Sequence, residues 1–167
     1  MNGLETFAEE ARKFCRWAEG DDSSMPMNAR DALIRLITLY QAALFLPTPW
    51  TNELPDEDNE PPYTLDDFNI VFGRAGSLPF RSYSEVFDPL AEPQEQAIYA
   101  DICADVAEVY EDIIRGLRMY ESEKPFEARY KWGWSFQNHW GEHTTAAIRA
   151  LHVYLSQNSP DQLVDQA

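Results

Sequence analysis

Leu4, Phe7, Ala8, Ala11, Phe14, Cys15 and Ala18 return at intervals of three and four residues. That spacing puts them on one face of an α-helix and is incompatible with a strand, whose faces alternate every two residues. The same period recurs along the chain, and no convincing alternating segment interrupts it. A first helix is therefore expected over roughly residues 4–19, stopped by Gly20. A second begins at Asn28, a good N-cap, and ends before Pro47. It is apolar nearly all round (Leu33, Ile34, Leu36, Ile37, Leu39, Tyr40, Leu44, Phe45), so it is expected to sit centrally among the others.

A long surface loop follows, from Pro47 to Tyr63, with five prolines, five acids and no base. A short helix is expected between a Thr64 cap and a Gly73 stop. The irregular stretch after it carries Phe80, Tyr83, Val86 and Phe87, which should hold it against the core. A fourth helix is read from near Pro93 to about Ser122, with Ile98, Ile102, Val106, Val109, Ile113, Leu117 and Tyr120 as its apolar stripe. A fifth runs unbroken from near Pro125 to about Gln157 despite Gly133 and Gly141. The expected fold is all-α: a bundle of four main helices plus a short extra helix, with a long acidic, proline-rich loop. Residues 1–157 form one domain and 158–167 a polar tail.

Charge narrows the function classes. The chain carries a net −16, and residues 36–114 alone account for −14, with two bases against sixteen acids. Nucleic acid and anionic lipid need clustered Lys and Arg, so neither is an expected partner. The longest apolar stretch, Ala32 to Leu46, is too short to span a bilayer. The N-terminus lacks the basic start and apolar run of a signal peptide. Cys15 and Cys103 each lie on an apolar face and read as free thiols in a reducing compartment, which gives a cytoplasmic location. Asp101, Asp105, Glu108 and Asp112 recur at helical spacing and form an acidic stripe on the far side of the fourth helix, a surface for a basic protein partner.

The stretch "KWGWSFQNHWGEH" holds the chain's densest chemistry. On a continuous helix, Trp132, Phe136, His139, Trp140 and His143 share the inward face, and Glu142, Asn138, Arg149 and His152 face away. H-x-x-E-H is a zinc-peptidase spelling, and two histidines four apart can ligate a transition metal. The peptidase also needs a later acidic ligand, and only Asp161 and Asp165 follow. A third ligand would have to come from Glu121, Glu123, Glu127 or another helix. E-x-x-H pairs, P-loops, dinucleotide fingerprints and nucleophile elbows are all missing. The sequence therefore leads to no metal and no cofactor, with His139 and His143 as the residues that would bind a metal if one were bound. The five inward residues are expected to form a pocket or a polar network whose histidines bond a carboxylate, a tyrosine or a backbone carbonyl.

Four blocks, "FAEEARKFCRWAEG", "ALIRLITLYQAALFLP", "YSEVFDPL" and W-x3-F-x2-H-W-G-E-H, resemble a family of small bacterial proteins known only as a domain of unknown function. The resemblance covers most of the chain. It implies a bacterial, cytosolic, helical protein and supplies no activity. With no catalytic arrangement legible, the first reading is a non-enzymatic interaction protein, immunity-like, inhibitor-like or regulatory, with an acidic binding surface. The alternative is a small-molecule or metal-binding helical protein, or an enzyme, centred on His139 and His143.

Overall fold

A computed structural model describes residues 3–20, 25–46 and 61–158. Among them are six helices and one two-stranded sheet: α1 (Gly3–Glu19), α2 (Ala29–Ala43), α3 (Leu65–Ala75), β1 (Ser82–Glu85), β2 (Ile98–Asp101), α4 (Ile102–Glu121), α5 (Pro125–Asn138) and α6 (Trp140–Asn158). The all-α expectation holds. Most of the acidic loop, residues 47–60, and the tail beyond Asn158 lie outside the described residues.

The helix boundaries follow local chemistry. Asn28 caps α2 through the amide of Asp31, and Thr64 and Asp67 close a reciprocal capping box on α3. α3 runs past Gly73 and stops at Gly76. Gly20 ends α1 with φ +91°, and the Arg74 guanidinium packs where a side chain on residue 20 would project. The periodic face of α1 is buried as the spacing requires: Phe7, Ala8, Ala11, Phe14, Cys15 and Ala18 all reach the core.

Four further expectations are corrected. Chain before α4 is extended, since residues 82–85 pair antiparallel with residues 98–101. The fourth helix accordingly begins at Ile102, where Asp101 caps the amides of Cys103 and Ala104. The central helix is α4, which packs against α1, α3, α5 and α6. α2 lies at the side, with Ile34 and Ile37 half-exposed. Phe80 and Tyr83 pack on the core, but Val86 and Phe87 point outward.

The fourth correction shapes the site. The expected fifth helix is two helices, broken at His139 (φ −153°, ψ −84°). The His139 amide makes the last bond of α5, to the Ser135 carbonyl, and its own carbonyl takes the amide of Glu142 at the start of α6. Gly141 permits this turn: a Cβ there would lie 2.2 Å from the Phe136 carbonyl oxygen. Helical periodicity survives the break, which is why it is invisible in the apolar pattern.

Candidate functional site

Because α4 is central, it has no far side. Asp105, Glu108 and Asp112 fall within one face of it, and that face meets the α5–α6 break. Asp105 and Asp112 are only 4% and 6% exposed. The expected acidic docking stripe is thus turned inward along most of its length. Asp101, its fourth member, caps α4 and pairs with Arg81 at 2.8 Å.

The two histidines meet these carboxylates in a repeated pattern. His139 Nδ1 lies 2.7 Å from Asp112 Oδ2, and His143 Nδ1 lies 2.9 Å from Asp105 Oδ1. A carboxylate only accepts, so each Nδ1 carries the proton. Each aspartate has a second donor: the Tyr83 hydroxyl on Asp105 at 2.8 Å, and the Lys131 ammonium 3.4 Å from Asp112. With Nδ1 fixed, both Nε2 atoms turn to Glu108 Oε2, His143 at 2.6 Å and His139 at 3.6 Å. The rings stand edge to face, 4.9 Å apart.

Three electron-pair donors therefore converge on one point, and a positive charge must lie among them. In the bare protein it is a proton on His143. Burial alone would lower that imidazole's pKa, but hydrogen bonds to Asp105 and Glu108 outweigh it and raise it to about 10. Glu108 is held below the usual carboxylate range, chiefly by its bond to His143. Glu85 on β1 sits nearby and is raised, first by burial and then by the charge of Asp105.

The same three atoms suit a metal ion. Nε2 of His139, Nε2 of His143 and a carboxylate oxygen of Glu108 lie within 4.8 Å of one another. Donors on a tetrahedral zinc ion sit about 3.4 Å apart, so small side-chain rotations would complete the set. Metal-bound histidines characteristically donate their other N–H to a carboxylate, and Asp112 and Asp105 are already in that role. All three side chains are 29–44% exposed, which leaves open positions for water or a ligand.

The third donor comes from α4, upstream, and not from Glu121, Glu123 or Glu127. Glu142, which would be the catalytic base of a peptidase, points outward. Trp132 and Trp140 are fully buried, and Phe136 packs on Trp140 at 4.8 Å, so these three aromatics back the histidines as core. His152 is exposed and bonds only locally to Ser156. Not legible in the sequence were Asp105 and Asp112 as partners of the histidines, or Tyr83 and Lys131 as partners of those aspartates. One signal could have found them: α4 carries small or apolar residues on every side (Val106, Ala107, Val109, Ile113, Ile114, Gly116), so its acids had to be covered too.

Residues 2–157 match the model of the domain-of-unknown-function family DUF5063. The chain belongs to that family. The crystal structure of protein BF1032 from Bacteroides fragilis has a similar fold, with a TM-score of 0.71 at 22% identity, covering 95% of this chain and 94% of that one. At that identity the likeness speaks for the fold alone. No curated protein matches the chain. Among the described residues, no helix is long and apolar enough to cross a membrane.

Proposed function

We propose that this chain binds a divalent first-row transition metal, zinc or iron(II), through Glu108, His139 and His143. The observation that carries the reading is the orientation of both imidazoles. Each Nδ1–H is spent on a buried aspartate, and both Nε2 atoms face one carboxylate oxygen. A hydrogen-bonded core network needs no such convergence. Two histidines and one carboxylate suit these ions by donor type and leave positions for a substrate or water. Lewis-acid or redox work at the metal is thus open to the site, with Tyr83 and Lys131 holding the outer carboxylates.

The basic-partner reading is the weaker one, because Asp105 and Asp112 are spent on histidines and unavailable to a docking protein. Elemental analysis after dialysis against zinc or cobalt(II) decides between them. The expected result is about one ion per chain, lost in Glu108→Gln and in His139→Ala. Glu108→Gln keeps the side chain's shape, and circular dichroism verifies that it folds. Wild-type protein that holds no stoichiometric ion, or variants that bind as well as wild type, would overturn the proposal.

A further inference from the structure

A groove of about 960 Å³ runs between α6 and β1 with its following loop. Phe80, Tyr83, Phe87 and Tyr154 line it. Phe80 meets Tyr154 at 5.5 Å and stands perpendicular to Tyr83, so the rings form a built aromatic wall. The charged lining is uneven: Glu85, Asp88 and Glu142 against Arg149. Among the described residues, neither the Glu85 nor the Glu142 carboxylate has a hydrogen-bonding or ion-paired partner. Asp88 is engaged by the Leu90 amide.

Aromatic faces and free carboxylates recognise the same thing, a cation with an apolar body. A ring quadrupole attracts an ammonium over its face, the carboxylates supply long-range attraction, and the chain's −16 concentrates cations around it. The volume falls within the range of small-molecule sites. We propose that this groove is a binding site for an organic ammonium ion bearing an aryl or alkyl group. The site does not depend on the metal reading, since Glu85 and Glu142 are not among the metal donors. Tyr83 is shared: its ring lines the groove while its hydroxyl holds Asp105.

The test is an NMR titration of chelator-treated protein with benzyltrimethylammonium, following the rings of Tyr83 and Tyr154. 3-Phenylpropionate serves as the anionic counterpart. Saturable shifts with the ammonium are expected, and at least fivefold weaker binding (~1 kcal/mol) in the Glu85→Gln/Glu142→Gln double variant. Both substitutions are isosteric and lie outside the core. The proposal is overturned if 3-phenylpropionate binds as tightly, which would make Arg149 the dominant group, if the double variant binds unchanged, or if the ammonium gives no saturable shift. Repeating the titration on His139→Ala separates the two proposals, because groove binding should persist when metal binding is gone.

Discussion

The indole of Trp132 fills the space that a side chain on Gly116 would need. A Cβ on residue 116 would lie 2.2 Å from Trp132 Nε1, and that nitrogen donates to the Ile113 carbonyl at 3.0 Å. Trp132 is fully buried and packs edge-on against Phe7 at 4.9 Å. It therefore has nowhere to retreat. Gly116→Ala should destabilise the fold by about 1–3 kcal/mol through overpacking, a loss of several degrees in Tm. Urea unfolding followed by tryptophan fluorescence reads it directly.

Gly73 is the contrasting case. It lies within α3, and nothing stands within 4 Å of where its Cβ would be. Gly73→Ala should stabilise by about 0.4–1 kcal/mol, because the unfolded chain loses freedom while the helix loses nothing. An unchanged or lowered urea midpoint would contradict this account.

These two glycines show where the sequence speaks and where it falls silent. The apolar period of α1, the Asn28 and Thr64 caps and the inward set of Trp132, Trp140 and His143 were all legible, because each depends on local spacing. Which helix is central was not. α2 looks more hydrophobic than α4, yet α4 is covered on more sides, and that depends on how all the helices pack. From the sequence, the acids on α4 consequently read as solvent-facing. The break at His139 was hidden for a different reason: Gly141 lets α6 restart in nearly the same phase, so the periodicity runs on across it.

Gly141→Ala should affect both fold and site. The clash is with the Phe136 carbonyl, a backbone atom that cannot rotate away. Relief requires α6 to shift from α5, which moves His143 relative to His139. Stability should fall by about 1–3 kcal/mol, and zinc or cobalt(II) affinity should fall with it at a temperature where the variant remains folded. A variant that is destabilised but binds metal normally would show that the break does not set the ligand geometry.

The outer carboxylates should matter without touching the ion. Asp112 and Asp105 hold the two imidazoles through Nδ1. Exchanging either for asparagine keeps the volume but weakens the acceptor that fixes tautomer and ring orientation. Metal affinity should drop about 10–100-fold in each, as measured by competition with a chromophoric chelator. A purely structural network predicts a change in stability with no change in affinity.

Acid should weaken one link on the opposite side of α4. Arg118 bonds Asp67 at 2.7 Å and the Pro62 carbonyl, so it ties the start of α3 to α4. That bond, reinforced by Thr64, holds the Asp67 carboxyl down at about 2 against an ordinary 3.8. The folded state thus favours the ionised form. The pair's contribution is fully present above the unfolded-state value and disappears as pH falls through about 2. Both side chains are partly exposed, so the contribution is about 1 kcal/mol or less. Asp67→Asn should therefore lower the urea midpoint near neutral pH, and its difference from wild type should shrink steadily between about pH 4 and pH 2. A difference that stays constant over that range would mean that neither the Arg118 ion pair nor the Thr64 bonds to the ionised carboxylate account for what Asp67 contributes.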